Sequence, residues 1–174
     1  MKNILVVVDM QNDFVDGALG TAEAEAAVPA VVKKIKGFDG IIFATYDTHF
    51  DNYPDTAEGR KLPVPHCIKG TAGWELNAKV KKALDAKGFT PVEKNTFGSV
   101  DLPRLIKEAA GGEDFRVELI GLCTDICVVS NALLIKACFP EAPVAVDPAC
   151  CAGVTPQKHE AALETMRSCQ IDVI

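Results

Sequence analysis

A thiol, a carboxylate and an amine in this sequence are spaced so that they could do covalent chemistry together. The segment Gly121-Leu122-Cys123-Thr124-Asp125-Ile126-Cys127 lies between two apolar runs. It reads as a strand that ends, turns, and starts a helix near Thr124, a good N-cap residue. Cys127 then falls in the first helical turn, where backbone N–H groups lack intrahelical partners and the helix dipole favours anions. A thiol in that position is expected to have a lowered pKa and to act as a nucleophile. The same N–H groups could hold the oxyanion of a tetrahedral intermediate. On this segment alone, Cys127 reads equally well as a small buried helix residue. Acyl transfer through a thiolate also needs a proton acceptor and a cation. Asp9 follows Val6-Val7-Val8, and Lys94 follows Pro91-Val92-Glu93. Taken singly, Asp9 reads as the cap of a turn and Lys94 as a solvated strand-end lysine.

A second group carries metal-ligand chemistry. The long polar stretch Asp47–Trp74 contains Asp47-Thr48-His49 and then Pro65-His66-Cys67, and so holds two of the chain's three histidines. An unstructured stretch of that length in a compact domain is usually functional. Carboxylate and imidazole together suit Zn, Mn or Fe(II), although single histidines in polar loops are more often simply exposed. Cys67 has no Cys-x-x-Cys partner to make it a zinc ligand, and the vicinal pair Cys150-Cys151 reads as packing.

These residues have to be positioned by the elements between them. Short apolar runs alternate with longer amphipathic ones. Ile4–Val8, Gly40–Thr45, Thr90–Glu93, Arg116–Ile120, Val144–Val146 and Asp172–Ile174 are expected strands. Glu23–Lys36, Trp74–Ala86, Leu102–Ala110, Thr124–Cys138 and Pro156–Ser168 are expected helices, with Pro29 a point of irregularity in the first. Continuous apolar strands, each followed by a helix, predict a mostly parallel six-stranded sheet in a three-layer α-β-α sandwich of Rossmann-like type. Residues 1–174 are expected to form a single domain. Ligands in such folds sit at the carboxyl ends of the strands, near the switch in strand order. That rule gathers Asp9, Asp47, His49, Lys94, Cys123, Cys127 and Asp147 toward one edge.

Bulk properties narrow the function further. With 174 residues, 48% of them hydrophobic, the chain can fill a full-sized core. The net charge of −6 and a pI near 5.1 argue against nucleic acid as a partner. The run Ile4–Val8 is too short to span a membrane and has no small-residue cleavage site after it, so the expected address is the cytoplasm and no membrane partner is expected. Seven cysteines without a secreted-type framework fit reduced thiols.

Three motifs, in order along nearly the whole chain, carry a family resemblance. Val8-Asp9-Met10-Gln11-Asn12-Asp13-Phe14, Glu93-Lys94-Asn95-Thr96-Phe97-Gly98-Ser99 and Gly121–Val128 resemble the opening, lysine and nucleophile motifs of isochorismatase-like cysteine hydrolases. The likeness implies a catalytic triad of Asp9, Lys94 and Cys127. It also implies a non-proline cis peptide at Leu122–Cys123, which would aim the N–H of Cys123, with that of Cys127, at an oxyanion. Most relatives carry a smaller residue at 123. A second thiol there brings a Cys123–Cys127 disulfide within reach under oxidation. Asp-x-His followed by Pro-His-Cys-Ile-Lys-Gly-Thr-Ala-Gly resembles the metal site of the nicotinamidase branch. That resemblance implies Asp47, His49 and His66 as ligands, Glu58 as the fourth with Asp55 its runner-up, and Zn, Mn or Fe as the divalent metal. Phe14 and Trp74 are the aromatic side chains expected to contact a flat ring, although each type is more often core. The implied partners are a small amide substrate and further copies of the chain in a homo-oligomer. The expected reaction is hydrolysis of nicotinamide to nicotinate through a thioester. Rival readings are another amide or ureido substrate, a non-catalytic binding relative, and a thiol redox protein using Cys123 and Cys127.

Overall fold

A computed structural model describes all residues, Met1–Ile174. The apolar runs form β1 (Lys2–Val8), β2 (Ile41–Asp47), β3 (Thr90–Lys94), β4 (Phe115–Leu122), β5 (Val144–Ala152) and β6 (Asp172–Val173). They make one sheet in the order β3-β2-β1-β4-β5-β6, parallel throughout. The short turn α1 (Asn12–Val15) follows β1. The longer helices are α2 (Ala22–Gly37), α4 (Ala78–Lys87), α5 (Leu102–Ala110), α6 (Val129–Cys138) and α7 (Pro156–Ser168), with the short α3 (Ala57–Lys61) inside the long loop.

The two faces of β1 show why three layers form. Leu5 and Val7 pack with Val28, Val31 and Ile35 of α2 and with Val80 and Leu84 of α4. Ile4, Val6 and Val8, on the other face, pack with Ile106 of α5, Ile135 of α6 and Met166 of α7. Side chains alternate across a strand, so a strand that is apolar at every position must be covered on both sides.

The helices Leu102–Ala110 and Pro156–Ser168 end where the sequence places their ends. Elsewhere tertiary structure overrides local pattern. Helix α2 runs through Pro29 without a break. The helix expected from Trp74 starts only at Ala78, because Asn77 is its N-cap and accepts from Lys79 N at 3.1 Å. Strand β5 continues to Ala152, past its expected end at Val146. Its register against β4 jumps from Leu119↔Val146 to Gly121↔Cys151, so residues 147–150 bulge out of the ladder.

Strand order reverses between β1 and β4, where Gly121 pairs with Val8. The φ of Gly121 is +115°, and a Cβ there would lie 2.1 Å from Val8 O. Gly121→Ala is therefore expected to cost about 2–5 kcal/mol, combining left-handed backbone strain with overpacking. Urea denaturation checks this: a loss below about 1 kcal/mol, within the usual range for tolerated surface changes, would contradict it.

Candidate active site

Asp9 leaves β1 in a left-handed conformation, φ 47°. Its N–H donates to Thr45 O and Oγ1, both at 3.2 Å. The Thr45 hydroxyl donates back to Asp9 Oδ1 at 2.6 Å. The second carboxylate oxygen, Oδ2, faces Lys94 Nζ at 2.7 Å as an ion pair rather than an aligned hydrogen bond. Lys94 ends β3, and its ammonium also lies 3.4 Å from Cys127 Sγ and 3.4 Å from Asp47 Oδ1. Thiol, carboxylate and ammonium, from residues 9, 94 and 127, thus meet at the switch point of the sheet. All three residues are buried.

Burial sets the electrostatics. It raises the Asp9 carboxyl above its ordinary value, against the opposing pull of Lys94. Burial alone would lower the Lys94 ammonium, but Asp9, Cys127 and Asp47 outweigh it and hold the proton firmly. Burial likewise pushes the Cys127 thiol well up, and the Asp9 charge adds to this against the pull of Lys94. The lowered thiol pKa expected from helix position is therefore corrected. Desolvation exceeds the help of one cation shared with two carboxylates. The same surroundings favour the protonated thiol, with Asp9, the ion-pair partner of Lys94, as the nearest group that can take its proton.

The nucleophile turn also departs from a plain helix start. Thr124–Val128 form a π turn before α6, and the N-cap position is Cys123, not Thr124. Thr124 Oγ1 instead bonds His159 Nδ1 at 2.7 Å, and Asp125 Oδ1 accepts from Val154 N at 2.9 Å, which ties the turn to the start of α7. The Leu122–Cys123 peptide is cis. The Cys123 N–H donates to no acceptor within the chain. The Cys123 side chain faces the same cavity as Cys127, and burial pushes its thiol up to about 12.

The metal-ligand candidates come together beside Lys94. Asp47 ends β2. His49 N donates to Cys67 O and Lys69 N to His49 O, both at 2.9 Å, so residues 67–69 run alongside residue 49 as a minimal parallel strand. That pairing delivers His66. Asp47 Oδ2 lies 3.0 Å from His49 Nε2 and 3.5 Å from His66 Nε2. Glu58 Oε1, from α3, approaches the same nitrogens at 3.8 and 3.5 Å. Bonds of about 2.0–2.1 Å in tetrahedral geometry put donors about 3.3 Å apart, so this spacing fits one small divalent cation. His66 Nδ1 donates to Val64 O at 2.8 Å, which leaves Nε2 as the free donor atom. Burial would lower the His66 pKa, but Asp47 and Glu58 outweigh it and push it up to about 10. Two carboxylates facing two imidazoles make a hole for positive charge, and a proton is the minimal occupant. Asp55 is exposed on the adjoining turn and does not approach the cluster.

Two expectations do not hold. Asp147 is not at this edge: the bulge in β5 carries it to Lys34 Nζ at 2.8 Å, on the α2 face. Trp74 does not line the cavity. Its Nε1 donates to Thr48 Oγ1 at 2.9 Å and its ring packs 5.2 Å from that of Tyr46, so it braces the loop from outside. Phe14 does line the cavity, with its ring 5.5 Å from that of His66.

Three buried polar residues that the sequence reading passed over hold the site in place. Thr45 fixes Asp9. The Gln11 amide brackets Asp47, donating to its carbonyl and accepting from its N–H, both at 2.8 Å. Asn131 accepts from Ser99 N at 2.9 Å and donates to Cys127 O at 2.8 Å, joining the segment after Lys94 to the nucleophile turn. For Thr45 and Asn131 the visible signal was a polar side chain inside an apolar run, which a core tolerates only when hydrogen-bonded; Gln11 lies among polar residues and gave no such signal.

A six-stranded parallel α/β sheet with this cluster at its switch point defines the class: a hydrolase on a Rossmann-like three-layer sandwich. The isochorismatase domain model matches residues 3–174, and the chain belongs to the isochorismatase family. It is similar to the nicotinamidase/pyrazinamidase of Mycobacterium tuberculosis, with 29% identity over 191 aligned positions covering 98% of this chain and 97% of that one. The crystal structure of nicotinamidase/pyrazinamidase PncA from Bacillus subtilis superposes with a TM-score of 0.86 at 26% identity, covering 99% of both chains. The pyrazinamidase of Pyrococcus horikoshii in complex with zinc superposes with a TM-score of 0.80 at 27% identity, covering 100% of this chain and 99% of that one. No helix of the chain is long and apolar enough to cross a membrane.

Proposed function

We propose that this protein hydrolyses nicotinamide to nicotinate and ammonia through a thioester on Cys127. The observation that carries the reading is the meeting of Lys94 Nζ with Asp9 at 2.7 Å and with the Cys127 sulfur at 3.4 Å, in a buried site that opens to a cavity. Nicotinamidase relatives matching over nearly the full chain support the substrate.

The chemistry follows from what each group can donate. The surroundings favour the protonated thiol, so Asp9 Oδ2, which takes no aligned hydrogen bond, accepts its proton as the sulfur attacks the carboxamide carbon. Lys94 offsets the negative charge that then sits on sulfur. The backbone N–H groups of Cys123 and Cys127 receive the oxyanion. Asp9 returns the proton to the departing ammonia, and water cleaves the thioester. Asp47, His49, His66 and Glu58 would hold a divalent cation, zinc being our assignment by analogy with the Pyrococcus horikoshii protein. Such a cation would supply a Lewis acid toward the ring nitrogen of the substrate. Phe14 presents an aromatic edge to the same space.

An ammonia-release assay with nicotinamide tests the reading, and no release above buffer would overturn it. His49→Ala is expected to lower zinc content clearly below the wild-type stoichiometry by elemental analysis after dialysis against chelator, since it removes one of the four donors of the set. Full zinc retention would remove His49 from the ligand set.

A further inference from the structure

The cavity has more room than a single-ring amide fills, and exposed apolar side chains stand at its outer end. Its volume is about 740 Å³. Cavities of about 300–1,000 Å³ take drug-sized ligands, and one aromatic ring with its carboxamide is a small fraction of such a ligand. The reactive and metal-binding groups lie at the inner end, where Cys127 and the four candidate metal ligands converge, while Asn52, Asn95 and Thr96 add exposed polar side chains further out. The outer end also carries large apolar side chains. Phe50, Leu62 and Phe97 line the same cavity and are exposed at 54%, 37% and 47%. Ile126 continues this surface inward from the nucleophile turn. Outside the cation-binding group, Lys61 is the sole charged side chain of the lining. Exposed apolar side chains grouped around one opening mark a binding surface. They come from the loop after β2, the end of α3, the segment after Lys94 and the turn before α6. Four separate stretches of chain thus put apolar groups on one rim.

We propose that Phe50, Leu62 and Phe97 form an outer subsite for an apolar substituent on the ring, so that the substrate class is heteroaromatic carboxamides with an alkyl or aryl group directed at the cavity mouth. This rests on the reading of the inner site as a carboxamide hydrolase. The carboxamide lies at Cys127, the ring beside Phe14 and His66, and the substituent against the rim. Burying each methylene there gains about fourfold in affinity.

The test uses nicotinamide and derivatives carrying methyl, propyl or phenyl at each free ring carbon. Two measurements are made: kcat/KM with the wild-type enzyme, and calorimetric binding to the Cys127→Ala variant. At one ring position, kcat/KM and affinity are expected to rise about fourfold per added methylene. In Phe97→Ser and Leu62→Ser, the ratio of kcat/KM for the propyl derivative to that for nicotinamide is expected to fall about tenfold, as the apolar partner is removed. A loss of more than tenfold in both measurements at every ring position would overturn the subsite. So would sedimentation showing that Phe97→Ser splits a dimer while leaving the substituent ratio unchanged, which would make the rim a contact between copies of the chain. Tighter binding of the derivatives with no hydrolysis of any amide would keep the outer subsite and overturn the catalytic reading instead.

Discussion

Cys127→Ala is expected to lower kcat for nicotinamide by at least about 10⁴-fold, the scale seen when a covalent nucleophile is removed. The size follows from the lack of a substitute. Thr124 is fully buried, and its hydroxyl is engaged with His159 at 2.7 Å. Ser99 is buried beside Asn131, away from the cavity lining. Cys123 does face the cavity, but no side chain hydrogen-bonds or pairs with its sulfur, whereas the Cys127 sulfur has Lys94 at 3.4 Å. Cys123→Ala keeps the backbone N–H at that position and is expected to retain turnover, which separates the two thiols and tests the redox reading as well. The fold is expected to survive Cys127→Ala with a loss of about 1 kcal/mol, because one sulfur removed from a well-packed site leaves only a small void. Steady-state kinetics with circular dichroism decides the matter: a folded variant retaining more than about one hundredth of wild-type kcat would remove Cys127 as the nucleophile.

What the sequence revealed divides along physical lines. Elements bounded by local chemistry were legible to the residue. Helix α7 begins at Pro156 behind Thr155, which caps it by accepting from Lys158 N, and α5 ends at Gly111 in the left-handed region. Strands buried on both faces were legible as runs, and the parallel-sheet rule then gathered Asp9, Lys94 and Cys127 to one edge. Features decided by long-range contact were not. Trp74 fits a helical period, yet the Gln11 side chain donates to its carbonyl at 2.9 Å and holds it in the loop. Asp147 has the right residue type at the apparent end of a strand, but the strand resumes beyond a bulge that no composition signal announces. The metal ligands fall between these cases. Asp47 and His49 follow from one strand end, whereas His66 and Glu58 arrive only through the pairing of residues 49 and 68 and the placement of α3. The thiol pKa failed for another reason. Position in a turn is local and readable, but desolvation depends on everything packed above it, and here desolvation is the larger effect.

Asp9→Asn is expected to reduce kcat by about 10³-fold, within the range for loss of a general base, while leaving KM within about threefold. Asn preserves the shape and can still accept from the Thr45 hydroxyl, which reaches Oδ1 at 2.6 Å. It has no basic oxygen to take the Cys127 proton. The thiol is held protonated by its surroundings, so that proton has no other acceptor at hand: Lys94 holds its own proton firmly, and Asp47 is kept well below the usual carboxylate range. Burial would raise Asp47, but hydrogen bonds from His49 and His66 and the charge of Lys94 outweigh that effect. The substitution also acts on the fold. It removes the nearest of the two carboxylates paired with the Lys94 ammonium, leaving Asp47 at 3.4 Å. Breaking a buried pair from one side costs about 3–5 kcal/mol, and Asp47 makes the lower end the expected loss. The two effects separate in experiment, since kcat is read well below the melting transition and stability from the transition itself. A variant that loses stability but keeps wild-type kcat would make Asp9 a structural partner of Lys94 alone, and the proton acceptor would have to be sought among the metal-site carboxylates.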